Sequence, residues 1–199
     1  MRSLDRLCVI ASAMAESGYR KEAMEMAKTC KAMWTYKPLW GIIKDVRGPS
    51  GRTRLMYCAE KGDVGRMEWL IRHGANADIQ DYAGYTALHL AISNWQMEAA
   101  FALIVAGANL NLKTMADGLG AQDCIYNRRT YGETPLMLAC LRSTELVSFL
   151  CHMGANVRLT NFRGQPAMHY ALVAENSDSA IILQKYGAKI PRLRTPSYY

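Results

Sequence analysis

Thr86-Ala87-Leu88-His89-Leu90-Ala91 opens the stretch GYTALHLAISNWQMEAAFALIVAGAN, from Gly84 to Asn109, and its plan recurs three more times in the chain. GRTRLMYCAEKGDVGRMEWLIRHGAN precedes it from Gly51, GETPLMLACLRSTELVSFLCHMGAN follows from Gly132, and GQPAMHYALVAENSDSAIILQKYGAK follows from Gly164. Thr53 and Thr86 stand 33 residues apart. Thr86 and Thr134 stand 48 apart, which is the same period with 15 residues inserted. Thr134 and Pro166 stand 32 apart, because the third copy lacks one residue between its helices. A fixed period of this length is the signature of a stacked repeat architecture.

Each copy reads as a pair of helices. A Thr opens the first helix, where its hydroxyl can accept from free backbone N–H groups. Pro135 falls in the first turn, where a missing N–H does no harm. The second helix carries apolar residues at helical spacing: Val64, Met67, Leu70 and Ile71 in the first copy, Leu146, Val147, Phe149 and Leu150 in the third. Gly74, Gly107, Gly154 and Gly187 end that helix, where a left-handed residue is wanted. One such pair cannot bury its own apolar face, so neighbouring pairs must stack. An all-α solenoid of helix pairs with short finger loops follows.

These copies resemble the ankyrin repeat, with its G-x-TPLH-x-A opening and its closing LL-x-x-GA. The resemblance covers about residues 48–190, in repeats at about 51–80, 84–113, 132–160 and 164–190 within a unit spanning 47–190. It implies protein recognition rather than catalysis. It also implies that His89 and His169 are structural, bonding within the turn between repeats; Met56 and Met137 stand at that position in the other copies. Cys58 and Cys140 fall at or beside the small alanine positions of the first helices and read as core cysteines.

Departures from the pattern mark the candidate partner-binding residues. Residues 114–130, TMADGLGAQDCIYNRRT, extend the finger between the second and third repeats and carry Tyr126, Arg128 and Arg129; long loops of this kind are functional or disordered. Trp95 stands where the pattern has a Gly between the paired helices, so it is either an exposed anchor or folded back over the neighbouring repeat. Tyr82, Phe162 and Arg163 occupy finger tips, where the resemblance implies partner contact.

The first 46 residues follow a different plan. Leu4 to Glu16 reads as a helix with Leu4, Leu7, Cys8 and Ala11 on one stripe, and Arg20 to about Tyr36 reads as a second. Pro38 starts a short third helix to about Lys44, and Asp45 to Ser50 reads as the linker into the repeats. The segment 1–46 resembles an F-box in its Cys30-Lys31 pair, Trp34 and the Leu39-Trp40 pair; the Leu-Pro dipeptide that opens that motif is absent. That resemblance implies docking to a Skp-type adaptor through Leu4, Leu7, Cys30, Trp34, Leu39 and Trp40. A helical cap over the first repeat is the alternative.

Composition narrows the rest. The 199 residues are 50% hydrophobic and 21% charged, a globular balance. The formal net charge of +7 is divided between the two ends, +4 in residues 1–50 and +4 in residues 151–199, and residues 191–199 form a basic extended tail. Charge so dispersed reads as solvated faces, so nucleic acid is the weakest of the partner classes. No apolar run approaches the roughly 20 residues of a membrane span. Met1 to Ser17 imitates a secretory signal, but Asp5 interrupts its cationic end and Ser12 its apolar run; it reads as a helix of the mature protein, with an uncleaved organellar address as the alternative. Six scattered Cys without C-x-x-C spacing point to a reducing, intracellular home, the cytoplasm first, with nucleus and mitochondrion left open.

Gly118-Leu119-Gly120 is no phosphate loop, and the four His make no metal pattern. The sequence therefore implies no enzyme, cofactor or metal, and one or more protein partners. Two roles remain in competition: a substrate-recruiting F-box-like adaptor of a cullin-based ubiquitin ligase, or an accessory or scaffold subunit of a larger assembly.

Overall fold

The computed structural model describes residues 45–48, 50–115 and 132–190. Among these, eight helices follow in four pairs: α1 (Arg54–Lys61) with α2 (Val64–Arg72), α3 (Ala87–Ser93) with α4 (Met97–Val105), α5 (Pro135–Cys140) with α6 (Thr144–His152), and α7 (Ala167–Val173) with α8 (Ser177–Lys185). First helices pack on first helices and second on second. The fingers between pairs stack as well, Tyr82 N–H donating to Ser50 O and Met115 N–H to Ala83 O.

The helix starts follow from the Thr residues. Oγ1 of Thr53, Thr86 and Thr134 accepts from the N–H three residues on, at 3.4 Å in each case. The same residue returns a side-chain acceptor to the Thr N–H: His89 Nδ1 at 3.2 Å, and the sulfurs of Met56 and Met137 at 3.4 and 3.5 Å. Methionine thus fills the histidine position with a weaker acceptor. The fourth pair opens on Pro166, which supplies no side-chain cap. The residue missing from the third copy is taken from its first helix, since α5 has six residues where α3 and α7 have seven.

Every second helix closes in the same way. The N–H after the glycine reaches back five residues, Ala75 to Leu70, Ala108 to Leu103, Ala155 to Leu150 and Ala188 to Leu183. The glycine itself is left-handed, as at Gly107 with φ 86°, which is the Schellman closure. Beneath these ends lies one continuous core, built from Leu55, Leu88, Leu136 and Met168 of the first helices and Leu70, Leu103, Leu150 and Leu183 of the second. Each such side chain removed from water contributes about 1.5–3 kcal/mol. Phe101 and Phe149 meet edge to face at 4.9 Å between α4 and α6.

Cys140 and Cys151 lie in this core, whereas Cys58 is half-buried against it. Burial pushes all three thiols up, to about 12, 11 and 11 respectively. They stay protonated and unreactive near neutrality.

Asp45 to Ser50 is more than a linker. Asp45 Oδ1 accepts from Asn76 N–H (2.9 Å), just as Asp78 accepts from Asn109 (2.7 Å) and Asn111 from Asn156 (2.8 Å). Asp45 thus occupies the rung of this inter-repeat ladder that lies one period ahead of Asp78. Likewise Thr114 and Met115, counted with the insertion from sequence, belong to the finger. Thr114 N–H donates to Glu133 O (3.0 Å) and Glu133 N–H to Thr114 Oγ1 (2.9 Å), closing the base of the insertion. The F-box-like residues Leu4, Leu7, Cys30, Trp34, Leu39 and Trp40, the insertion residues Tyr126, Arg128 and Arg129, and the tail 191–199 lie outside the described residues.

Candidate functional site

The side chains on the fingers and at the ends of the first helices make up the candidate site. Two of the fingers are tied by an Asx turn. Asp81 Oδ1 accepts from Ala83 and Tyr85 N–H, and Asn161 Oδ1 from Arg163 and Gln165 N–H. Such a turn holds the next residue outward, and those residues are Tyr82 and Phe162, both exposed. Their inner ring edges rest on the glycine opening the preceding repeat: a Cβ at Gly51 would meet the Tyr82 ring, and one at Gly132 the Phe162 ring. Met115 does the same over Gly84. The finger-tip side chains are therefore half structural, each pinned on one side by a neighbour and open on the other.

At the other edge of the face, Trp95 follows the cap of α3 with φ 61° and is 56% exposed. Arg142, in the turn after α5, lays its guanidinium 4.8 Å from the ring centroid. Both sequence-based alternatives for Trp95 thus contribute: it is exposed, and it is covered on one side by the next repeat. Leu141 and Val173 continue the line of exposed apolar residues at the ends of α5 and α7. Sequence reading named Tyr82, Trp95, Phe162 and Arg163 here and missed Leu141, Arg142 and Val173. Their shared position at the end of the first helix was the available signal.

His89 and His169 both bond within the repeats. His89 is fully buried, its Nδ1 accepting from Thr86 N–H and its Nε2–H donating to Glu133 O of the next repeat (3.1 Å). Burial pulls it down to about 4, against the two carbonyls it faces, so it is neutral near pH 7. His169 is half-buried, with Nε2 2.9 Å from Gln165 Nε2.

Beside the fingers, buried Arg52 bridges Asp81 (3.3 Å) and Glu60 (3.0 Å). Burial raises the Asp81 carboxyl above its ordinary range, more than Arg52 and the turn N–H groups lower it. Among the described residues no three His, Cys, Asp or Glu gather in a way that could hold a metal ion. Nor is any helix there long and apolar enough to cross a membrane.

Stacked helix pairs with exposed tips define a solenoid that presents side chains along its fingers and first-helix ends. The family model "Ankyrin repeats (3 copies)" matches residues 21–114 and 117–193, and the chain belongs to the ankyrin-repeat family. Neurogenic locus notch homolog protein 1 of Homo sapiens is 33% identical over 178 aligned residues, covering 72% of this chain and 7% of that protein. The corresponding notch protein 2 of Homo sapiens is 31% identical over 180, again 72% and 7%. ZDHHC13 of Danio rerio is 29% identical over 153, covering 75% of this chain and 21% of that protein. The chain thus spans a small part of each relative's length. Ankyrin stacks are a protein-interaction fold, and this chain is such a module.

The family match begins at residue 21, inside the segment that resembles an F-box. The 33-residue spacing reaches back in the same way: Gly18, Gly41 and Asp45 stand one period ahead of Gly51, Gly74 and Asp78.

Proposed function

We propose that the chain is a non-enzymatic recognition module that serves as an accessory subunit of a larger multiprotein assembly, holding its partner along the fingers and the first-helix ends. Trp95 carries this reading. A left-handed backbone costs an L-residue roughly 1–2 kcal/mol, yet here it presents a tryptophan that is more than half exposed. Backbone strain that displays a ring suits contact with a partner, and Trp and Arg dominate the energetics of protein interfaces.

The adaptor reading rests on Cys30-Lys31, Trp34 and Leu39-Trp40, with a Skp-type adaptor bound there and the repeats choosing a substrate for a cullin-based ubiquitin ligase. The spacing of Gly18, Gly41 and Asp45 favours instead a segment that continues the repeat register and covers the first pair. The assembly reading is preferred for that reason.

The test is affinity purification of the tagged chain at native level, with mass spectrometry of the retained proteins. A set of subunits at fixed stoichiometry, without a Skp-type adaptor, is expected. Trp95→Ala keeps the backbone and removes the ring, and should weaken that association by about 2 kcal/mol, roughly thirtyfold, with the melting temperature nearly unchanged. Recovery of a Skp-type adaptor and a cullin, lost with Leu39→Ala and Trp40→Ala together, would establish the ligase reading instead. Unfolding by Trp95→Ala would make the ring part of the core and remove the binding argument.

A further inference from the structure

From the way charge is divided between the two sides of the stack, we infer that the partner segment is an extended acidic peptide with apolar residues between its carboxylates. The inference rests on the interaction reading above and names the chemistry of what the finger and first-helix face receives.

On that face the cluster of buried Arg52 and Asp81 with half-buried Glu60, and the buried Arg54, balance one another. The other charges that the described residues place on that face are five cations, Arg47, Lys61, Lys113, Arg142 and Arg163, and two anions, Glu133 and Glu175. Glu133 is engaged further, its carboxylate accepting from Tyr170 O–H (3.1 Å). The second helices with their N-caps have the opposite balance: Arg66, Arg72 and Lys185 against Asp63, Glu68, Glu98, Glu145 and Asp178. Arg66 and Arg72 are moreover paired within α2 and its cap, to Asp63 and Glu68. Among the described residues one side of the stack is thus net positive by three and the other net negative by two, although those residues together are nearly neutral.

Apolar groups are interleaved with these cations. Phe162 adjoins Arg163, Leu141 adjoins Arg142 with Trp95 beneath its guanidinium, and Lys113 lies two residues from Met115. An extended segment that alternates carboxylates with apolar side chains satisfies both sets at once, the carboxylates meeting guanidinium groups that suit them geometrically. A polyphosphate chain fits less well. The cations come only about one to a repeat, and two anions stand among them, whereas a groove that tracks a phosphate backbone is continuously positive.

The experiment is fluorescence anisotropy of the full chain with a labelled probe of about sixteen residues, Asp-Phe-Glu-Leu repeated. Its comparison probes are the same peptide with Lys in place of the acids and a thymidine oligonucleotide of equal length. The acidic probe should bind at least about tenfold more tightly than the lysine probe, and less tightly as salt rises. Arg142→Glu with Arg163→Glu should weaken it by about tenfold or more, and Arg66→Glu with Arg72→Glu by less than about twofold. Circular dichroism checks that both variants keep their helices; if the first does not, Arg142→Gln with Arg163→Gln replaces it, with a smaller loss in the same direction.

Equal binding of the two peptides, an equal effect of the α2 reversals, or tighter binding of the oligonucleotide would overturn the inference. A purified partner that is lost with Trp95→Ala but held by Arg142→Glu with Arg163→Glu would overturn the acidic chemistry while leaving the interaction reading intact. A partner indifferent to both would overturn both.

Discussion

His89 gives the stack a dependence on pH that can be removed by a single substitution. Its ring is fully buried, Nδ1 accepts from Thr86 N–H, and Nε2–H donates to Glu133 O. Only the neutral ring satisfies this arrangement, and burial brings its pKa from 6.5 to about 4. The unfolded chain therefore binds more protons than the folded one between those values, so stability falls as the pH drops through that window. Each tenfold difference in proton affinity between the folded and unfolded chain is worth about 1.4 kcal/mol. The expected loss from this residue is about 2 kcal/mol on going from pH 7 to pH 5, and about 3 kcal/mol by pH 4. In a chain of this size, about 2 kcal/mol corresponds to roughly 4–8 °C in melting temperature. Asp81 acts in the opposite sense, because its carboxyl is raised in the fold and it gains relative stability as pH falls through that raised value. Wild type and a His89→Met variant share that contribution, so their difference isolates the histidine. Methionine is the replacement of choice because Met56 and Met137 already fill this position in two repeats. The variant should be about 1 kcal/mol less stable at pH 7 for loss of the bond to Glu133, and much flatter from pH 7 to pH 5. Urea and thermal melts of both proteins across that range decide the matter; parallel profiles would refute the buried neutral ring.

Two other substitutions probe the fold. Gly107→Val should cost more than about 1 kcal/mol through strain alone, since φ is 86° and nothing lies within 4 Å of an added Cβ. Gly84→Ala should cost more still, because its Cβ would collide with the backbone N of Met115; equal melting temperatures for both variants and wild type would count against the left-handed closures and the finger stacking together. Arg52→Ala leaves Asp81 buried without its bridge, and a loss of about 3 kcal/mol is expected near neutral pH, diminishing in acid as Asp81 takes up a proton. A constant loss from pH 7 to pH 4 would argue against that charge.

Much of the fold was legible because its signals are local. A Thr at a helix start, a proline in a first turn and a glycine at a helix end act through the backbone within a few residues, so the 33-residue period exposed them directly. Thr53, Thr86 and Thr134 cap as the spacing predicts, and Gly74, Gly107, Gly154 and Gly187 turn left-handed. The role of Asp45 was harder to read. Its spacing to Asp78 was present in the sequence, but the aromatic residues before it, Trp34 and Trp40, fit another pattern. Its bond to Asn76 restores the register.

The sequence by itself therefore determined the helix pairs, their caps and their repetition, because each depends on residues within one turn or one period of one another. Tertiary structure decided which equivalent positions are covered. Ala59, Ile92 and Cys140 have no exposed area while Leu172, in the same register, is 38% exposed, since burial depends on what packs alongside rather than on the residue itself. It decided too that Arg142 lies over Trp95, 47 positions away in sequence, and that cations gather on the finger side of a nearly neutral stack. Charge along a chain is a sum, but charge on a face depends on which residues the stacking brings together.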